Sequence, residues 1–183
     1  MIPMSELSPF SILTGLAEKA RAASIELPSE QATQSHFTGL GFSLLGHRFV
    51  APMDETSELM LVPTTTRIPG VKNFVLGVGN VRGRLMTVMD LATFFGKAST
   101  LSKAQRRVLA TDDEEQLLGF VIDDSFGMQH FPSDAFTEEA TEVPEMFSRF
   151  VRGEYHVAGI KWPVLSLVAL ANDPRLEKLA VTH

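Results

Sequence analysis

At 183 residues with 44% apolar content, the chain has material for one domain, or for two small lobes around a shared core. Twenty-two acidic side chains against 16 basic ones give a net charge of −6, which argues against a protein built to grip phosphate backbones. The absence of cysteine removes disulfides, thiolate zinc sites and a cysteine nucleophile together.

No apolar run approaches the roughly 18 residues of a membrane span. Residues 1–6 show neither the basic start nor the apolar core of a signal peptide, so a cytoplasmic location is expected. Residues 1–35 then read as a helical extension and linker. Ser8 is a good N-cap before Pro9, and Phe10, Leu13, Leu16, Ala17 and Ala20 recur at helical spacing. That helix is expected to end near Ser24, and the polar, Pro28-containing stretch 25–35 follows as linker or wrapped extension. Docking on its own domain and service as a partner-binding or oligomerising arm both remain open for it.

From His36 the pattern turns to β. Residues 37–45 and 49–53 read as a hairpin around a turn at 46–48, with Pro52 confining its strand to an edge or strand end. Residues 58–62 form the next strand, 63–69 an extended loop, and 72–76 a short ambiguous piece with a helical turn as one reading. Strands 78–81 and 85–89 pair around Arg82-Gly83-Arg84, and 91–95 closes this half before Gly96. After a loop or short helix at 98–105, strands 107–111 and 116–123 flank the acidic turn 112–115. Residues 124–136 continue extended, and 137–144 form an acidic loop. A third hairpin joins 149–158 to 162–166. Asp173-Pro174 then caps a last helix with Leu176, Leu179 and Ala180 on its apolar face. Nine or ten short strands with frequent turns predict a mainly β fold, barrel or sandwich, in halves of about 36–96 and 107–170 without a residue-level repeat.

Few residues here suggest chemistry. The run Gly77-Val78-Gly79-Asn80-Val81-Arg82-Gly83 has its third glycine one place late for a dinucleotide loop, and a strand rather than a helix follows it. His36, His47, His130, His156 and His183 form no metal-ligand spacing. An enzyme would need Asp90, Asp123, His130 and His156 to converge from distant segments, whereas strand-end aspartates ordinarily cap turns. A single tryptophan and a single tyrosine give an oligonucleotide-binding surface little to stack on. Arg82 is the sharp residue. Set between Val81 and Gly83, it reads as half-buried and in need of a carboxylate, with Glu55 and Glu58 upstream as candidates.

Residues 69–91 carry Gly77, Asn80, Arg82, Gly83, Val88, Asp90 and Leu91, and Leu118-Gly119-Phe120-Val121-Ile122-Asp123 follows later. Across about 36–172 this pattern resembles the CheW-like family of chemosensory coupling proteins, with Thr87 where the family often has proline. The run from Arg67-Ile68-Pro69-Gly70 to Arg84-Leu85 is most similar to the subgroup serving the system that controls type IV pili and twitching motility. A flagellar-type coupling protein and a receptor-only adaptor remain as alternatives.

The resemblance implies a CheW-like domain over 36–183, two five-stranded SH3-like β-barrels over a joint core with short helices at the N- and C-termini. It implies no enzymatic activity, no cofactor, no metal, no nucleic acid and no direct membrane insertion. The implied partners are the regulatory domain of a CheA-like histidine kinase and the cytoplasmic tip of a methyl-accepting chemoreceptor, in membrane-associated arrays at the cell poles. Carried residue by residue, Arg82 matches the family arginine important for coupling and Glu58 its acidic strand partner. Thr56 and Gly77 match positions near the receptor and kinase contacts, and Asn80 and Gly83 complete the Arg82 motif. A bulky residue at Gly77 is then expected to impair coupling and leave a folded monomer.

Overall fold

The computed structural model describes residues 13–15, 17–18, 35–113 and 115–179. The chain divides into two compact units, residues 1–35 and 36–183. In the first, residues 13–15 and 17–18 are helical, inside the expected helix, while its Ser8 cap and most of the linker lie outside the described residues.

The second unit is built from two sheets. β1 (His36–Leu44), β2 (His47–Pro52), β8 (Asp124–Pro132), β9 (Phe136–Thr137), β10 (Val151–Val157) and β11 (Ile160–Leu165) form one, in the order β8-β1-β2-β11-β10-β9. β3 (Glu58–Leu61), β4 (Val75–Val81), β5 (Arg84–Asp90), β6 (Arg107–Asp113) and β7 (Gln116–Ile122) form the other, in the order β3-β6-β7-β5-β4. The fold is mainly β and CheW-like, but it corrects the sequence reading in two respects. One sheet has six strands rather than five, and neither sheet follows the sequence halves 36–96 and 107–170. The β1–β2 hairpin joins strands from the end of the chain through a parallel contact at Val50 and Val164. β5 meets β7 in parallel from Met86 opposite Leu117 to Asp90 opposite Val121. A hairpin is fixed by its own turn, whereas its next neighbour is set by which apolar face has to be covered.

Three hairpins share one turn chemistry. Leu45-Gly46, Arg82-Gly83 and Ala158-Gly159 each have positive φ at both residues (52° and 80°, 51° and 80°, 52° and 75°). Such two-residue turns match the right-handed twist of their strands, and glycine at the second place removes half of the steric cost. The first turn therefore lies at Leu45-Gly46, one residue ahead of the expected 46–48. The ambiguous stretch at 72–76 is a turn leading into β4.

Strand alternation sorts side chains into three cores. From β7, Leu118, Phe120 and Ile122 enter the joint core between the sheets, with Phe42 and Phe49 from the first sheet. Leu117 and Val121 turn instead into the second sheet's own interior with Met86, Val88 and Val108. The first sheet encloses Phe131, Tyr155 and Trp162, where Tyr155 stacks between Phe37 and Phe131 with centroids 4.8 and 4.9 Å away. β7 is thus buried on both faces, which explains its unbroken apolar run.

Four short helices trim the sheets: α1 (Leu91–Phe94), α2 (Glu145–Ser148), α3 (Leu167–Ala171) and α4 (Pro174–Glu177). Asp173 caps α4 ahead of Pro174, as the sequence pattern predicts, and Leu176 is buried; Ala180 lies outside the described residues.

The five-stranded sheet curls until its outermost strands approach. Thr66, in the loop after β3, exchanges backbone hydrogen bonds of 2.9 and 3.0 Å with Val78 of β4.

Candidate interaction surface

Arg82 sits at the tip of the β4–β5 hairpin. Its left-handed backbone, φ 51°, turns the side chain away from both flanking strands. The side chain is consequently 80% exposed, not half-buried as its apolar neighbours suggest. Its Nη2 lies 2.7 Å from Oε1 of Glu58, whose side chain is 26% exposed. Glu58 and Arg82 belong to opposite edges of the curled sheet, so the pair spans the seam between β3 and β4. Asn80 Oδ1 accepts the Gly83 N–H at 3.0 Å and fixes the turn. Four expected residues therefore gather at one end of this sheet: Glu58, Asn80, Arg82 and Gly83.

Thr56 and Gly77 do not present contact groups there. Thr56 is half-buried just before β3, and its hydroxyl donates to the Pro52 carbonyl at 3.0 Å. Gly77 is buried with φ 140°, and a Cβ placed on it would stand 2.2 Å from the Thr66 carbonyl oxygen. Its role in the structure is to let the 63–67 loop lie against β4. The expectation that a bulky residue at Gly77 leaves the fold intact is therefore corrected, because no side chain fits between two backbones.

Further along the hairpin, Arg84 forks onto Asp112 across the sheet, with Nη2 to Oδ1 at 2.9 Å. Its hydrogen bonds hold the Asp112 carboxyl below the usual carboxylate range and raise the Arg84 guanidinium in turn. Leu85 beside it is 71% exposed, and Leu59 and Leu61 on the edge strand β3 are 38% and 64% exposed. The surface is a polar, charge-paired tip next to exposed leucines, the composition of a protein contact.

The carboxylates considered for catalysis have structural partners. Asp90 accepts a two-pronged bond from the buried Arg106 at 2.9 and 3.0 Å and caps α1 through the Ala92 N–H. Asp123 lies 3.9 Å from the same guanidinium. His130 pairs with the Thr38 hydroxyl at 3.0 Å on the other sheet, and His156 stands across β10–β11 from Lys161. No shared pocket collects the four. Among the described residues, no group of three His, Asp or Glu is placed to hold a metal.

The sequence reading passed over Glu55 as a burial site. Among the described residues this carboxylate is one of the few buried charges, set against Arg152 and Ser166. Nothing local marks it, because its partners lie more than 90 positions away.

The model of the CheW-like domain matches residues 38–177. The chain belongs to the CheW-like family. This CheW-like chain is 38% identical to protein PilI of Pseudomonas aeruginosa over 174 residues, 95% of its own length and 97% of that protein's. It is 28% identical to the chemotaxis protein CheW of Helicobacter pylori over 106 residues, 58% of this chain and 62% of that one. In fold it resembles the scaffolding protein TtCheW from Thermoanaerobacter tengcongensis, with a TM-score of 0.67 at 21% identity, covering 79% of this chain and 99% of that one. As a CheW-like protein it is a non-enzymatic scaffold or adaptor. No described helix is long and apolar enough to cross a membrane.

Proposed function

We propose that this adaptor couples a methyl-accepting chemoreceptor to a CheA-like histidine kinase in the chemosensory system that governs type IV pili and twitching motility. The observation that carries the reading is the similarity to PilI along nearly the whole chain, 38% over 95% of its length. The geometry gives it a contact point. Arg82 is exposed, held in place by Glu58 and free of the core, so its change would alter recognition with little effect on folding. The exposed Leu59, Leu61 and Leu85 supply apolar area beside it. Thr56 and Gly77 act beneath the surface, through the start of β3 and the seating of the 63–67 loop. The kinase's regulatory domain and the receptor's cytoplasmic tip are the partners, and recruitment to membrane-associated arrays follows from binding them. Each contact need only be of modest affinity, because multivalent assembly supplies the rest.

A titration of the purified protein against the kinase regulatory domain tests this, with Arg82→Ala alongside. Saturable binding at micromolar concentration, weakened in the variant, is the expected result. No binding at high micromolar concentration would sink the kinase half of the reading and leave a receptor-only adaptor.

A further inference from the structure

Among the described residues the chain passes between the two sheets at two places, the β2–β3 connection at 53–57 and Asp123 between β7 and β8. Each passage carries a carboxylate with a long-range partner. At the second it is Asp123 beside Arg106. At the first it is Glu55, and its partners are the more extensive.

Glu55 ends a 3₁₀ turn, Met53–Glu55, and its side chain is only 6% exposed. Arg152 Nη2 lies 2.6 Å from Oε1. The Ser166 hydroxyl donates to Oε2 at 3.1 Å, and the Val168 N–H donates to the same oxygen at 3.2 Å. Ser166 is itself held, accepting from Arg152 at 2.8 Å and from the Ala169 N–H at 3.1 Å as the cap of α3. A buried carboxylate with a cation and two neutral donors is fully satisfied, and a change to any one partner disturbs the others.

The next three residues are each tethered as well. The Thr56 hydroxyl donates to Pro52, the Ser57 N–H donates to the Ala110 carbonyl at 2.7 Å, and Glu58 meets Arg82. Glu58 is the first residue of β3, an edge strand whose one ladder neighbour is β6. Edge-strand ends fray unless something anchors them. Here the anchor three residues upstream is Glu55, gripped from β10 and α3 of the other sheet's side of the chain.

We propose that Glu55, clamped by Arg152 and Ser166, is a positioning residue of the coupling surface: it sets where β3 begins and so holds Glu58 in register under Arg82. This rests on the coupling reading above for its biological meaning, though not for its geometry. Glu55 touches no partner. It acts through Glu58.

The test uses the full chain as wild type, Glu55→Gln, Arg82→Lys and the double variant, titrated with the kinase regulatory domain. Arg152→Met serves as a second probe of the clamp: it leaves the Glu55 side chain in place and removes its cation, and a urea melt of the variant separates lost clamping from lost folding. Glu55→Gln and Arg152→Met are each expected to weaken binding by roughly three- to tenfold. Placing Glu55→Gln on the Arg82→Lys background is expected to add less than about twofold, because both changes act through one ion pair. A structural role alone would give multiplying effects. The second readout is the Arg82 Nε–Hε NMR signal, which should shift in Glu55→Gln and Arg152→Met. Multiplying effects, or an unmoved Arg82 signal in both clamp variants, would overturn the proposal. If the wild type does not bind the domain, the coupling reading fails, and the Arg82 signal still decides whether Glu55 positions the pair.

Discussion

Replacing Gly77 by alanine sets a backbone requirement against an otherwise mild change. The new Cβ would meet the Thr66 carbonyl oxygen at 2.2 Å, the Thr66 carbonyl carbon at 2.7 Å and the Arg67 nitrogen at 3.1 Å. All three are backbone atoms, so no side chain can swing aside. The φ of 140° is itself unfavourable for an L-residue by about 1–3 kcal/mol. Moving the loop away would break the paired Thr66–Val78 hydrogen bonds, at about 1 kcal/mol each. Together these predict a loss of ~3–5 kcal/mol, a large share of an ordinary domain's stability. For a chain of this size that lowers Tm by roughly 6–20 °C. Gly83→Ala is the control: its φ is 80°, yet nothing lies within 4 Å of a Cβ there, and the expected cost is about 1–2 kcal/mol. Urea melts of both variants measure the difference. A Gly77→Ala protein within 1 kcal/mol of wild type would refute the argument.

Arg82→Ala should leave the urea midpoint almost unchanged, within ~0.5 kcal/mol, because its ion pair is largely solvated; a marked loss of stability would show that the hairpin tip is structural. Arg106→Met should cost ~3–5 kcal/mol in the same melts, since it strands Asp90 and leaves Asp123 without its nearest cation. The Asp173 carboxyl is held below its usual range, chiefly by the hydrogen bond from Arg175, with the backbone bond and the Arg149 charge adding to it. A depressed folded-state pKa contributes stability that is complete above the unfolded value near 3.9 and is lost as pH falls through the folded value. Stability measured from pH 5 downward should therefore fall more steeply in wild type than in Asp173→Asn, and equal slopes would remove Asp173 from the account.

Much of this molecule was written locally. The hairpins at β1–β2, β4–β5, β6–β7 and β10–β11 follow from alternating apolar runs and their turns, and α4 follows from Asp173-Pro174. The Arg82–Glu58 pair could be named in advance because its residues sit inside a recognisable family pattern. Its exposure could not, since that depends on Arg82 adopting a left-handed backbone at a turn rather than on the hydropathy of its neighbours. The reading of Gly77 failed for a related reason. Sequence shows a glycine in a strand, and only the folded loop shows the Thr66 carbonyl pressed against it.

The sequence alone determined the β class, the hairpins and the family, because each depends on neighbours within about a dozen positions or on a contiguous motif. Tertiary structure decided which strands share a sheet, that Asp90 and Asp123 surround Arg106, and that Glu55 is clamped by Arg152 and Ser166. Those are long-range choices, made by burying apolar faces and pairing the charges that become enclosed with them, and no local window of the chain encodes the partner.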